Sequence, residues 1–409
     1  MRPREFKRKF WLAYNPRRVC GEGISSGERA KCMNAAQTER ANNHSMEGAK
    51  SERLMSLDVL RGFDMFWIIG GEHIFRGLGK LTDRPIAGKL LEQLEHVRWE
   101  GLHFYDVIWP LFMFIMGAAM PFSLAKRRSQ GATDPSMILH AVKRAVILFV
   151  LGMIAQGNLL AFDLSKFHPC YSVLHGIAAG YLIAMIVILK VKPARHLAVT
   201  AGFVLLYWAI LMLVPVPGVG TGVLTPQGNV ATYVDQLILG RLHYGENTWF
   251  LSYLGFASSV LMGMLAGQVL MSRRPAQERV LMLAGAGAVC LALGLVWSLS
   301  LPIIKLLWTS SCVLLAGGLS FVLLAIFYLI VDVLRYRRWA FGFLVIGMNS
   351  IVAYMAMMLF DFREIGNIFV GSLLPRLGRW DLLVESAAAF GSEWLILYWL
   401  YRKKTFVKV

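Results

Sequence analysis

Residues 104–124 read FYDVIWPLFMFIMGAAMPFSL, and this stretch decides the fold class. A single carboxylate, Asp106, stands near its start, and the apolar run that follows matches the roughly 20 residues a bilayer core requires. Backbone N–H and C=O groups inside lipid can pair only with each other, so such a segment forms a helix. The stretch therefore predicts a membrane helix that begins with a carboxylate.

The same hydropathy pattern repeats along the chain of 409 residues, of which 56% are hydrophobic and 16% charged. Soluble domains carry about 25% charged residues. We count ten candidate spans, at 56–75, 104–124, 139–160, 171–190, 197–214, 250–271, 279–298, 310–334, 340–360 and 384–401. The sequence predicts an all-α, polytopic bundle of about ten transmembrane helices.

The charge distribution predicts the orientation of this bundle. The net charge is +17, and basic clusters occur at 126–128, 190–195, 273–274, 335–338 and 402–404. These clusters lie in alternate connections or at the C-terminus, as they do on the cytoplasmic side of membrane proteins. We expect both termini to be cytoplasmic and the longer loops to face outward. Nothing in the chain resembles a nucleic-acid recognition module.

Two regions differ in composition. Residues 1–54 hold 12 Lys or Arg and 6 Asp or Glu without apolar periodicity, so we expect a basic, disordered cytoplasmic tail. Met33, Met46 and Met55 are alternative start sites. Residues 55–409 form the predicted membrane domain. Five dispersed cysteines indicate neither a disulfide framework nor a metal site.

Ionisable residues inside the first span are costly in hydrocarbon and therefore mark a candidate site. Asp58, Arg61 and Asp64 follow one another at helical spacing, and Glu72 returns to nearly the same face. They predict a polar stripe along this helix, provided that Gly70-Gly71 does not interrupt it. A structural Asp–Arg pair is the alternative interpretation.

His96 stands in a polar loop between this stripe and Asp106. An imidazole transfers protons near neutral pH and can also capture an acyl group. A solvated loop histidine is the alternative. Further polar candidates in apolar surroundings are His175, Lys305, Trp308 and Asn349, each of which could instead satisfy a kinked backbone.

Three segments resemble a known family. They are Arg53-Leu54-x-Ser56-Leu57-Asp58-x-x-Arg61-Gly62, His96-x-x-Trp99-x-Gly101-Leu102-x-x-x-Asp106 and Gly347-Met348-Asn349-Ser350. They look like the core of heparan-α-glucosaminide N-acetyltransferase and its bacterial homologues, and the resemblance spans about residues 53–401. It implies acetyl transfer from cytoplasmic acetyl-CoA to an amino sugar on the outer side, in a bacterial inner membrane, with His96 as the catalytic histidine.

The sequence departs from this family at two positions. Glu72 stands where the family has a functional asparagine, and Gly176 stands where the lysosomal enzyme has an arginine. The second difference removes one contact that the resemblance would assign to the CoA phosphates.

Our hypothesis is that His96 deprotonates the acceptor or is transiently acetylated, and that Glu72 fixes its tautomer. Asp58 and Arg61 would order the inner entrance, and Trp99 and Asp106 would shape the outer pocket. The remaining candidates for substrate or CoA binding are His175, Lys305, Trp308 and Asn349. Membrane lipids are further partners, and a homodimer is left open.

Two other functions stay open. One is a transporter of small sugars, although the sequence shows no matching pair of interrupted helices of the kind transporters often use. The other is an O-acetyltransferase that modifies a cell-envelope glycan.

Overall fold

The structure of the protein is a computed structural model that describes residues 54–82 and 84–407. Within these ranges the chain forms helices and loops and contains no β-strand. The predicted all-α class is confirmed. The tail predicted at 1–54 lies, apart from Leu54, outside the described residues.

Fifteen α-helices are present in the described ranges. In chain order they are α1 (Met55–Phe66), α2 (Glu72–Gly79), α3 (Pro85–Glu92), α4 (Ile108–Ser129), α5 (Asp134–Ala155), α6 (Val173–Lys190), α7 (His196–Leu213), α8 (Val230–Leu239), α9 (Tyr253–Met271), α10 (Ala276–Ser298), α11 (Ser310–Phe327), α12 (Phe341–Met348), α13 (Ser350–Leu359), α14 (Phe362–Val370) and α15 (Asp381–Arg402).

Seven helical segments in the described chain are long and apolar enough to cross a membrane, and they contain α4 to α7 and α9 to α11. Helices α12 and α13 meet at a bend of 77° and make an eighth span if they are counted together. The chain is thus a multi-pass membrane protein. The first and last predicted spans coincide with helices, but ionisable side chains lower their hydropathy, so the count of about ten is not confirmed. The cytoplasmic placement of the termini stays a prediction.

Two of the predicted spans are interrupted helices, at the two places where the sequence left a break or a kink open. Between α1 and α2 the chain passes through a wider turn at Trp67–Gly71, where Gly70 has φ 128°, a value that side chains disfavour. The second interruption is the bend between α12 and α13 at Asn349. Gly70 therefore breaks the polar stripe expected along the first span.

Helices α4 and α9 form a closely packed and largely buried pair. A Cβ atom on Gly263 would lie 1.9 Å from the Phe114 carbonyl oxygen, and one on Gly117 would lie 1.9 Å from the Val260 carbonyl oxygen. Because lipid provides no hydrophobic force between helices, close backbone packing at small residues holds such pairs together. Gly263 and Gly267 thus serve helix packing, as their four-residue spacing predicts.

Replacing Gly263 by Val should separate α4 from α9. The added side chain would overlap a backbone carbonyl, which cannot move aside without shifting the helix, and overpacking of this kind costs about 1–3 kcal/mol or more. We expect a lower thermal unfolding midpoint in detergent. Gly285→Val is the matched control, because a Cβ atom on Gly285 meets nothing within 4 Å. Equal midpoints for the two variants would contradict this account of the pair.

Candidate active site

A cavity of about 480 Å³ opens beside the start of α4. Its size falls within the range of small-molecule sites, roughly 300–1,000 Å³. The polar side chains that line it are His96, Trp99, Tyr105, Asp106, Gln156, Tyr171, Asn247, Lys305, Ser350 and Tyr354. Apolar side chains such as Met65, Phe112 and Ile177 form most of the remaining wall. The cavity therefore combines an apolar body with polar groups gathered around His96.

The His96 ring is anchored through one of its two nitrogens. Nδ1 lies 2.7 Å from Oδ1 of Asp106 and 3.1 Å from Nζ of Lys305. The side chain is 57% exposed, and its ring lies 5.0 Å from the ring of Tyr105, measured between centroids. Every hydrogen bond of this ring within the described chain involves Nδ1. Nε2 is therefore the nitrogen that a ligand can reach.

Asp106 organises the residues around it although it is almost completely buried. Its Oδ1 contacts His96 and lies 3.1 Å from Nζ of Lys305. Its Oδ2 accepts hydrogen bonds from the backbone N–H groups of Val97 and His103, at 3.3 and 3.1 Å. A buried carboxylate is tolerated only when it is paired and hydrogen-bonded, and this one has four donors around it. Asp106 thus holds both ends of the His96 loop.

The proton on His96 decides what the ring can do. An ionised Asp106 carboxylate accepts hydrogen bonds and cannot donate one. The contact of 2.7 Å therefore places the hydrogen on Nδ1 and leaves a lone pair on Nε2. Lys305 can only donate, and its contact with Nδ1 would require the opposite tautomer. Because Lys305 can donate to the same Asp106 oxygen instead, its ammonium group is compatible with Nε2 as the free base.

Lys305 reaches this cluster from the connection between α10 and α11. Thr309 Oγ1 donates to the carbonyl of Pro302 at 3.0 Å and accepts from the N–H of Ile304 at 3.1 Å, which fixes the turn that carries the lysine. Burial lowers the pKa of Lys305, and the neighbouring Asp106 carboxylate raises it again in part. The charge of Lys305 therefore depends on Asp106.

Each remaining position of the His-x-x-Trp-x-Gly motif has a structural role. Trp99 Nε1 donates to the carbonyl of Leu224 at 2.9 Å and ties the His96 loop to the long loop before α8. Gly101 has φ 121°, and its N–H donates to the carbonyl of Ile303 at 2.8 Å. This bond joins the loop of His96 to the loop of Lys305. The motif thus builds the site as well as supplying its histidine.

Glu72 does not contact His96 directly, although we expected it to fix the histidine tautomer. Its Oε1 accepts from Nε of Arg76 at 2.7 Å, and its carboxylate lies beside the Tyr105 hydroxyl. Arg76 also donates to Glu95, which precedes His96. The chain is kinked at Gly70, between α1 and α2, and Asp106 rather than Glu72 contacts the His96 ring.

Three further candidates, Asp58, Arg61 and Asn349, do not line the cavity. Asp58 pairs with Arg61 at 3.2 Å within α1, as the structural interpretation predicted. Asn349, which is buried, donates to the carbonyl of Thr405 and accepts from the N–H of Val407, both at 3.1 Å. Asn349 therefore fastens the C-terminal segment to the bend between α12 and α13.

His175 and Trp308 also belong to the framework. His175 Nδ1 accepts from the N–H groups of Tyr171 and Ser172 and so stabilises the start of α6. Its Nε2 contacts the Phe149 carbonyl of α5 at 3.0 Å. Trp308 is buried and donates to Ser259 at 3.0 Å. Neither residue lines the cavity.

Sequence reasoning missed several lining residues. Tyr105 was overlooked although it adjoins Asp106, and this adjacency at the start of a span was a usable signal. Tyr354 donates to Gln156 at 2.9 Å across the cavity wall. These two residues lie 198 positions apart, Gln156 directly after α5 and Tyr354 on α13, so no local pattern could have paired them.

The fold and this site together define a class, a multi-pass helical membrane protein with a histidine, carboxylate and lysine cluster at the mouth of a cavity. No family model matches the chain. Two proteins named heparan-alpha-glucosaminide N-acetyltransferase are similar to it. The one from Homo sapiens is 25% identical over 463 aligned positions, which cover 95% of this chain and 66% of the relative.

The relative from Mus musculus is 25% identical over 423 positions, which cover 88% of this chain and 61% of the relative. The chain thus spans slightly less than two thirds of the length of either relative. These similarities support a distant relationship to heparan-alpha-glucosaminide N-acetyltransferases.

Proposed function

We propose that this protein is a membrane acetyltransferase that moves an acetyl group from acetyl-CoA to an amino sugar on the outer side of the membrane. The distant relationship supports the type of reaction, and the bacterial inner membrane is the location we propose. The observation that carries the proposal is the contact of 2.7 Å between Nδ1 of His96 and the buried Asp106. It leaves Nε2 as a base at the mouth of a cavity.

The chemistry follows from that free nitrogen. His96 Nε2 takes a proton from the acceptor amine as the amine nitrogen bonds to the acetyl carbonyl carbon, and returns it to the thiolate when the carbon–sulfur bond breaks. Asp106 stabilises the imidazolium that exists between these two events. Positioned acid–base groups of this kind contribute about 10²–10⁴-fold to a rate. Lys305 supplies a positive charge beside the carbonyl oxygen as that oxygen becomes negative.

The cavity fits the acetyl end of the donor. Its apolar wall suits a methyl group and a thioester, and its charged lining in the described chain consists of Asp106 and Lys305, beside the His96 ring. The CoA phosphates would need other partners. Basic residues at the helix ends, such as 126–128, are the groups we propose for them, although topology alone also accounts for their presence.

Reconstitution of the purified chain in proteoliposomes tests the function. With acetyl-CoA on one side and glucosamine on the other, we expect N-acetylglucosamine, identified by mass analysis as an amide. An ester product would instead support O-acetylation of a glycan. Absence of any acetylated product with a folded protein would contradict the proposal.

One observation favours a transporter as the second candidate. The interrupted helices at Gly70 and Asn349 resemble the broken helices around which transporters build midplane sites. Uptake of labelled glucosamine without acetyl-CoA would support this function. Uptake that requires acetyl-CoA would support the transferase.

Glu72 should contribute to catalysis less than His96 does. Glu72→Gln preserves the size of the side chain but removes the charge that holds Arg76 against the His96 loop. We expect the acetyl-transfer rate to fall about tenfold, the effect of one hydrogen bond worth about 1.4 kcal/mol. Glu92→Gln, on an exposed position of α3, is the matched control. Equal loss in both variants would assign no specific role to Glu72.

A further inference from the structure

A second cavity, of about 520 Å³, lies next to the candidate active site. The two cavities share three lining side chains, Ile68, Met357 and Met358. Met357 and Met358 are flexible, unbranched side chains, which adapt readily to different occupants. A ligand in the second cavity is therefore separated from the His96 cavity by a thin wall of adaptable residues.

The second cavity contains a buried carboxylate with one oxygen that lacks a hydrogen-bond partner in the described chain. Glu393 on α15 is 2% exposed, and its Oε1 has no hydrogen-bond partner among the described residues. Ser386 stands two turns earlier on the same helix, is 3% exposed, and its Oγ likewise has no partner in the described chain. Both residues line the cavity. One face of α15 thus presents two polar groups to this cavity, each with an atom that lacks a hydrogen-bond partner in the described chain.

Such groups need an explanation because buried polar atoms are nearly always hydrogen-bonded. An ionised carboxylate in an apolar setting is especially costly unless a donor or a cation meets it. The hydrogen-bond donors of a ligand would remove this cost. Glu393 and Ser386 are therefore better suited to a ligand than to the stability of α15.

The other lining groups narrow the chemistry of that ligand. Asp361, Arg363 and His73 also line the cavity, so with Glu393 it holds two carboxylates against one guanidinium. The Asp361 carboxylate already caps α14 by accepting from the N–H of Arg363 at 2.9 Å. Phe360, Phe362 and Phe390 supply apolar ring surface. Carboxylates, a hydroxyl and aromatic rings match a compact ligand that carries both an amine and hydroxyl groups.

We propose that this second cavity binds an amine-bearing, hydroxylated ligand, with the ligand ammonium at Glu393 and a ligand hydroxyl at Ser386. The acceptor amino sugar is the ligand of this class in the reaction proposed above, and to that extent the inference rests on the proposed function. The shared wall at Met357 and Met358 would let the acceptor pass from this subsite to His96.

The test is glucosamine binding to the full chain in lipid nanodiscs, measured by calorimetry. We expect wild-type protein to prefer glucosamine over N-acetylglucosamine, which lacks the positive charge. Glu393→Gln should weaken glucosamine binding about tenfold or more, as expected for the loss of a charge-assisted hydrogen bond. Glu385→Gln is the matched control, because Glu385 lies on the same helix, binds Asn367 at 3.2 Å and does not line the cavity.

Two further measurements, the unfolding of Glu393→Gln and glucosamine binding by Ser386→Ala, separate a ligand site from a purely structural role. Without ligand, Glu393→Gln should unfold no earlier than wild type, since it removes a charge that has no partner. Ser386→Ala should weaken glucosamine binding about threefold. This variant provides the test if Glu393→Gln does not fold. Wild-type glucosamine affinity in both Glu393→Gln and Ser386→Ala would overturn the inference and leave the proposed transferase function unaffected. If the wild-type protein shows no transferase activity but these variants lose glucosamine binding, the result would support the binding site alone.

Discussion

Replacing His96 by Ala should lower the rate of acetyl transfer by about a thousandfold or more while the protein stays folded. The variant loses the Nε2 base, and no other described side chain at the cavity offers an imidazole in its place. General acid–base groups account for about 10²–10⁴-fold of a rate, which sets the size of the effect. Because the ring is 57% exposed and packs mainly beside Tyr105, its loss should cost little stability.

The measurement is the initial rate of product formation in proteoliposomes, together with the thermal midpoint of the purified variant. His103→Ala is the matched control, since His103 lies in the same loop and its ring contacts the Glu95 carbonyl rather than the His96 ring. That variant should keep most of the activity. A His96→Ala rate within tenfold of wild type would remove His96 from the mechanism.

Replacing Asp106 by Asn should abolish activity and also destabilise the protein. The amide cannot accept from all four surrounding donors, so the His96 ring loses its tautomer partner and the buried end of Lys305 loses its counterion. Removing one member of a buried ion pair costs about 3–5 kcal/mol. We expect a lower thermal midpoint and a rate at least as low as that of His96→Ala.

A second substitution separates the two effects. In the double variant Asp106→Asn/Lys305→Met the uncompensated ammonium is gone, so much of the stability should return while the activity stays absent. Lys305→Met alone should be milder, because Asp106 keeps the Val97 and His103 N–H groups and the His96 ring as donors. If the double variant is no more stable than Asp106→Asn, the ion pair is not the cause of the loss.

The destabilisation of Asp106→Asn should also depend on pH. Burial lowers the pKa of Lys305 below its usual 10.5, and the charge of Asp106 partly offsets this. In Asp106→Asn that charge is lost, so the pKa of Lys305 should fall further. A lysine whose pKa is lower in the folded than in the unfolded protein destabilises the folded state. This destabilisation is complete below the folded-state pKa and disappears as the pH rises to the unfolded-state pKa. The difference in midpoint between Asp106→Asn and wild type should therefore be smaller at about pH 9.5 than at about pH 7. A pH-independent difference would contradict this.

Much of this protein was predictable from its sequence, for local reasons. Hydropathy and span length identify a multi-pass helical membrane protein, because lipid forces each apolar stretch to satisfy its own backbone. The spacing of Gly263 and Gly267 predicts a close helix contact. His96 and Asp106 stand only ten residues apart in one motif, and both were expected at the outer pocket.

Only the tertiary structure decided how these residues are connected. Lys305 meets His96 across 209 positions, and Glu393 reaches the neighbouring cavity from the last helix, so neither contact has a signal in a local window. Glu72 lies beyond the interruption at Gly70 and does not contact the ring it was expected to hold. Asn349 has structural partners at the bend between α12 and α13, and His175 has them at the start of α6. Hydrophobicity and helical period act over neighbouring residues, whereas a site depends on which helices pack side by side, and that choice is made by the whole bundle.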